Sequence, residues 1–184
     1  MFKTLIKRIA KQLDSAKIPY MIIGGQALLL YGRFRATQDI DITIGVDVDK
    51  FSDIERMCKK AKLRILPDEP ESFARQTRVL PAEDPKTKIR VDIIFSFSEF
   101  ESSAIKKAKR VVMAGYPVRF ASCEDVIIHK MAAGRTIDEE DVKSILIRQS
   151  GKIDLSYVKD WLRKFESIPE FSGVLKKFEN LLGS

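Results

Sequence analysis

Two aspartates, Asp39 and Asp41, stand two apart in the β-branched run Asp39-Ile40-Asp41-Ile42-Thr43-Ile44. In a strand, residues i and i+2 project to the same face, so the two carboxylates lie side by side. Carboxylates sharing one face repel unless a cation lies between them. A third acid, Asp92, sits in a second apolar run, Ile89-Arg90-Val91-Asp92-Ile93-Ile94-Phe95. Hard oxygen ligands on rigid backbone suit a pair of Mg²⁺ ions. Such a pair activates an attacking hydroxyl, orients a triphosphate and stabilises a leaving pyrophosphate. Upstream, the apolar run of residues 20–23 ends in Gly24-Gly25, a turn able to bring backbone N–H groups close to an anion. Each signal alone has a plainer account: exposed carboxylates on a solvated sheet face, and an ordinary strand–helix turn.

These groups need two strands and a tight connection. Residues 2–17 place Phe2, Leu5, Ile6, Ile9 and Leu13 at helical spacing, and Ile18-Pro19 ends that helix. A strand over 20–23, the glycine turn, a short helix over 26–31 closed by Gly32, a polar loop over 33–38 and a strand over 39–44 follow. Asp49 is positioned to cap a helix over 50–61. Residues 63–66 read as a short strand, and 73–80 with 88–96 as a hairpin pair across Pro81-Ala82-Glu83-Asp84-Pro85. Ile89, Val91, Ile93 and Phe95 take one face of the second member; Arg90, Asp92 and Ile94 take the other. Residues 99–110 read as helix and 118–120 as a short edge strand. Capped helices then start at Ser122 and Thr136, the first stopping at Gly134, and two more cover 155–166 and 171–182.

The 184 residues are 45% hydrophobic and 32% charged, enough for one ordinary domain with a small helical appendage. Lys and Arg total 33 against 26 acids, so a net charge of +7 favours anionic partners such as nucleotides or RNA. Cys58 and Cys123 lack CxxC spacing and read as free thiols in a reducing compartment. The first residues lack a signal-peptide core, and no apolar run approaches the roughly 20 residues of a membrane span. A cytoplasmic location with no membrane partner is the expectation.

The combination Gly24-Gly25, a short helix, Asp39-Ile40-Asp41 and Val91-Asp92-Ile93 resembles the signature of the DNA polymerase β-type nucleotidyltransferase superfamily. The longer pattern Gly24-Gly25-Gln26-Ala27, Tyr31-Gly32 and Arg35-Ala36-Thr37-Gln38-Asp39 is similar to its small AbiEii-type and MNT-type members, often encoded as halves of toxin–antitoxin pairs. Glu124-Asp125, His129-Lys130, Ala133-Gly134-Arg135, Asp138 and Asp141-Val142 resemble the same proteins.

The resemblance implies an α/β (α+β) fold: a small mixed twisted sheet with flanking helices and a C-terminal helical segment. It implies a nucleotidyltransferase catalytic core over 1–120 and a helical segment over 121–184 that closes the cleft. The implied activity is metal-dependent transfer of NMP from an NTP to a hydroxyl of a protein, a tRNA or other RNA, or a small molecule of the antibiotic type, with pyrophosphate released. A mainly non-catalytic binding partner is a further reading. Asp39 and Asp41 would ligate both Mg²⁺ ions, with Asp92 on the catalytic one and nearest the attacking hydroxyl. Gly24 and Gly25 would cradle the β/γ phosphates with the help of the helix N-terminus. Many members carry Ser after the second glycine; here that nucleotide-binding position is Gln26. Lys130 would reach the triphosphate, or else be a solvated lysine. Arg35 and Thr37 either bind phosphate or brace the loop. His129 reads as a packing or hydrogen-bonding residue. The acids Glu124, Asp125, Asp138 and Asp141 suit capping and dipole roles, with Arg135–Asp141 contacts that fasten the two helices as a further reading.

Overall fold

Ile40, Ile42 and Ile44 line up beside Val91, Ile93 and Phe95, and all six are buried. This face is the centre of a sheet in the computed structural model, which describes residues 1–34 and 36–183. Arg35 and Ser184 lie outside the described residues. The chain forms two compact units, Met1–Gln26 with Ala36–Ala121, and Ala27–Arg35 with Ser122–Ser184.

The first unit contains β1 (Tyr20–Ile22), β2 (Asp39–Ile44), β3 (Arg64–Ile65), β4 (Val79–Glu83), β5 (Arg90–Phe95), β6 (Lys109–Met113) and β7 (Tyr116–Phe120). They form one sheet in the order β3-β4-β5-β2-β1-β7-β6. The pairs β2–β5 and β1–β7 are parallel and the others antiparallel, so the sheet is mixed. Helices α1 (Phe2–Ser15), α3 (Phe51–Lys60), α4 (Pro70–Thr77) and α5 (Glu99–Lys107) belong to the same unit. The apolar stripe of α1, with Leu5, Ile6, Ile9, Ala10 and Leu13 buried, packs on β6 and β7. Helix α2 (Gly24–Tyr31) leaves β1 directly, and the boundary between the units falls within it.

The second unit is helical: α6 (Cys123–Ala133), α7 (Thr136–Arg148), α8 (Leu155–Phe165) and α9 (Val174–Leu182). Ser122 caps α6 by accepting from the Asp125 N–H, and Gly134 ends it in the left-handed conformation. Val142, Ile145, Val158, Leu162 and Phe178 fill its core. No helix among the described residues is long and apolar enough to cross a membrane.

Several boundaries differ from the sequence reading. Gly24 and Gly25 are the first residues of α2 rather than a turn ahead of it. Residues 73–77 are helix, not strand. Pro70 fits a first-turn position where no N–H is needed, Thr77 Oγ1 donates to the Phe73 carbonyl, and Arg78 turns left-handed at φ +61° to end the helix. Hairpin pairing therefore starts at Val79. The helix expected over 99–110 stops at Lys107, and Lys109–Met113 pairs with Tyr116–Phe120 around Ala114-Gly115. Both turn residues have positive φ, the geometry of a two-residue hairpin. β7 consequently lies inside the sheet and β6 forms its edge. Asp47, not Asp49, caps the first turn ahead of α3, and α7 starts after Arg135 without a side-chain cap.

Candidate active site

Strand register assembles the acids. On the parallel pair, Asp39 lies beside Arg90 and Asp41 beside Asp92. Alternation places all four on the face opposite the buried isoleucines, and the three carboxylates are half-buried. Arg90 Nε donates to both oxygens of Asp92, at 2.8 and 3.1 Å. That hydrogen bond is the main reason the Arg90 pKa is raised above its ordinary value. Burial works against it, and attraction to Asp92, Asp39 and Asp41 adds to it. The guanidinium thus offsets the repulsion among the acids.

Gly24 closes one side of this cluster. Its φ is +61°, and a Cβ there would lie 1.9 Å from Asp41 Oδ2. At Gly25 a Cβ would lie 2.1 Å from Thr37 Cγ2. The first N–H groups of a helix have no partner within it, so residues 24–26 offer donors beside Asp41. Gln26 is buried, and its Nε2 donates to Thr37 Oγ1 at 2.6 Å. Asp39, Asp41, Asp92, Gly24, Gly25, Gln26 and Thr37 therefore belong to one neighbourhood of the first unit. The Gln26–Thr37 bond was not legible from spacing, because Gln26 lies in α2 and Thr37 in the stretch before β2.

Lys130 belongs to the second unit. Its ammonium lies 3.0 Å from Asp138 Oδ1 and 2.7 Å from Asp141 Oδ2, and the three side chains are 7%, 1% and 0% exposed. Arg135 donates to Asp138 and Arg33 to Asp141. Burial pushes the Asp138 pKa up, but the hydrogen bonds from Arg135 and Lys130 outweigh it and hold the group below the usual carboxylate range. Asp138 and Asp141 are thus buried ion-pair partners, and Asp138 also lies in the first turn of α7. Burial drives the His129 pKa down to about 4, which keeps the ring neutral. Arg35 lies outside the described residues, so its role is not placed.

The donor chemistry at Asp39, Asp41 and Asp92 suits a hard divalent cation. Among the described residues, however, no group of three or more His, Cys, Asp or Glu side chains is arranged to hold a metal ion. Arg90 stands on both oxygens of Asp92 instead.

The mixed sheet, its flanking helices and the helical segment after it match the nucleotidyltransferase fold. The chain belongs to the family described as nucleotidyl transferase of unknown function (DUF2204), whose profile matches residues 2–180. No curated protein sequence matches the chain. Among solved structures, it is similar to ANT(2")-Ia in complex with adenylyl-2"-tobramycin: 20% identity, 90% of this chain and 97% of that one, TM-score 0.59. An antigenic nucleotidyltransferase-like protein from Paracoccidioides brasiliensis matches at 18% identity over 95% and 92% of the two chains, with TM-score 0.56. The lincosamide antibiotic adenylyltransferase LnuA, lincomycin-bound, matches at 13% identity over 77% and 94%, with TM-score 0.53. These likenesses establish the shared fold.

Proposed function

We propose that the chain transfers a nucleoside monophosphate from an NTP to a hydroxyl of a small molecule and releases pyrophosphate. The observation that carries this reading is the register that sets Asp39, Asp41 and Asp92 on one sheet face, with Gly24 against Asp41. The acceptor oxygen forms a bond to the α-phosphorus, and the bond from that phosphorus to the bridging oxygen of the pyrophosphate breaks. The hydroxyl proton leaves to a carboxylate or solvent.

Asp39 and Asp41 would hold two Mg²⁺ ions between them, and Asp92 would join one of these once Arg90 releases its carboxylate. Bound there, Mg²⁺ supplies charge neutralisation of the triphosphate and acidifies the acceptor hydroxyl. The protein's own contribution is positioning. The backbone of Gly24, Gly25 and Gln26 faces the β/γ phosphates. Gln26 holds the Thr37 hydroxyl, which stands in for the serine common after the second glycine. Lys130 reaches phosphate only by giving up a contact to Asp138 or Asp141, so its main role is to brace the second unit.

A small-molecule acceptor is favoured by the fold shared with the two antibiotic-linked proteins above. The net charge of +7 and the resemblance to toxin–antitoxin nucleotidyltransferases support the second reading, in which the acceptor is a tRNA or a cognate protein. The test incubates the protein with Mg²⁺ and each α-labelled NTP, plus small hydroxylated amines, total tRNA or a candidate protein. The expected result is label transfer with pyrophosphate release, reduced on the order of 10²–10³-fold by Asp39→Ala. Equal transfer by Asp39→Ala, or none by the wild type in any arm, overturns the reading.

A further inference from the structure

A cavity of about 620 Å³ opens within the first unit beside the Asp92 side of the carboxylate cluster. That volume lies in the range of small-molecule sites. Its lining includes Pro81, Arg90, Leu66, Phe73, Asp68 and Glu69. Pro81 is the cross-strand neighbour of Asp92, which is in turn the neighbour of Asp41. Arg90, in the cavity wall, is hydrogen-bonded to Asp92. Arg90 therefore links the cavity wall to the carboxylate proposed to lie nearest the attacking hydroxyl.

Two features of the wall describe the molecule it fits. Leu66 and Phe73 are large apolar side chains left 39% and 38% exposed, and both face this cavity. Together with Pro81 they offer an apolar bed, with the Phe73 ring available for stacking. Asp68 and Glu69 are exposed in the lining and carry no ion pair or side-chain hydrogen bond among the described residues. While Arg90 is bonded to Asp92, the guanidinium in the wall is engaged there rather than by these two acids. The nearby Arg75 is paired with Glu71. The cavity is therefore locally acidic although the whole chain is basic.

We infer that this cavity is the acceptor site and that its acceptor is a small hydroxylated molecule with a cationic amine and an apolar face. The inference rests on the reading of Asp92 given above and adds the charge and shape of the acceptor. A phosphate-bearing acceptor, including an RNA 3′ end, would meet two uncompensated carboxylates on entering.

The acid pair is contributed by the loop between β3 and α4, and the apolar bed by that loop, by α4 and by β4.

The test uses four matched probes: the benzyl glycoside of glucosamine, its N-acetyl counterpart, its 6-phosphate, and a short oligoribonucleotide. Binding without NTP is read from chemical-shift changes at Leu66, Phe73 and Arg90, and transfer is read with Mg²⁺ and labelled NTP. The cationic glycoside is expected to bind at these residues and to be preferred over the neutral one about three- to tenfold, as two exposed ion pairs allow. In the double variant D68N/E69Q that ratio falls to near one. A ratio is insensitive to partial loss of folded protein. Phe73→Ala lowers affinity for both glycosides by about fivefold while keeping the preference. Shifts confined to other residues, an unchanged ratio in D68N/E69Q, or a preference for the phosphate or the oligoribonucleotide overturns the inference. Those outcomes leave the Asp39→Ala result intact, so failure of the acceptor site is distinguishable from failure of the nucleotidyl-transfer reading.

Discussion

Asp41 Oδ2 occupies the position that a side chain on Gly24 would need: a Cβ there would lie 1.9 Å from it. Gly24 also has φ +61°, which costs an L-residue roughly 1–2 kcal/mol. The contacting atoms belong to the end of a short side chain, so the fold accommodates Gly24→Ala by turning Asp41 away. The expected outcome is a loss of nucleotidyl transfer of about 100-fold or more, with destabilisation of only ~1–3 kcal/mol. Parallel activity assays and urea unfolding measure both. A variant that keeps full activity would remove Asp41 from the reaction.

The Gln26–Thr37 hydrogen bond gives a second expectation. If Thr37 supplies the hydroxyl that meets phosphate, Thr37→Val raises KM for the NTP by about tenfold, the worth of one hydrogen bond to a charged group. Gln26→Ala releases the same hydroxyl from its holder and raises KM less, because Thr37 remains. Steady-state kinetics at saturating acceptor decides the matter. A larger effect from Gln26→Ala than from Thr37→Val would make the amide, not the hydroxyl, the phosphate contact.

Lys130 separates a structural role from a phosphate-binding one. Its ammonium lies between Asp138 and Asp141 in a nearly water-free site. Replacing it with Met leaves those carboxylates to Arg135 and Arg33, and the expected cost is ~3 kcal/mol in unfolding free energy. For a purely structural lysine, KM for the NTP at a temperature where the variant is folded stays within about twofold. A tenfold rise in KM with little loss of stability would instead assign Lys130 to the triphosphate.

The sheet was legible where alternation was strong. Residues 39–44 and 89–95 each carry apolar side chains on one face and acids on the other; the first forms β2 with the expected bounds, and the strand expected over 88–96 forms β5 over Arg90–Phe95. The register between them was not legible, since nothing in either run says which aspartate lies beside which. Weak local signals failed elsewhere. Ala114-Gly115 is a hairpin turn without the usual Asn or Asp, so β6 was absorbed into a helix. Phe73 and Ala74 fit helix and strand patterns equally over so short a window, and Arg78 ends α4 in a conformation glycine usually takes. The buried ion pairs of Lys130 depended on packing between helices, which periodicity does not specify. The Arg90–Asp92 bond was half-anticipated, because the two residues share a face.

His129 provides a test confined to pH. It is the only histidine in the chain, and burial lowers its pKa from 6.5 to about 4. Above pH 6.5 the ring is neutral whether the chain is folded or not, and it has no effect on the slope of stability. Between pH 6.5 and 4 the unfolded chain binds a proton that the folded chain does not, so stability falls as pH falls. Below about pH 4 the folded form also protonates and the effect levels off, at a total of roughly 3 kcal/mol. Between pH 7.5 and 5 the loss from this group comes to about 2 kcal/mol, in a window where ordinary carboxylates are still ionised. Urea unfolding at the two pH values, in wild type and in His129→Gln, isolates it. The variant is expected to lose most of the difference. If both proteins lose the same stability between pH 7.5 and 5, the imidazole is protonated in the folded chain and its burial does not keep it neutral.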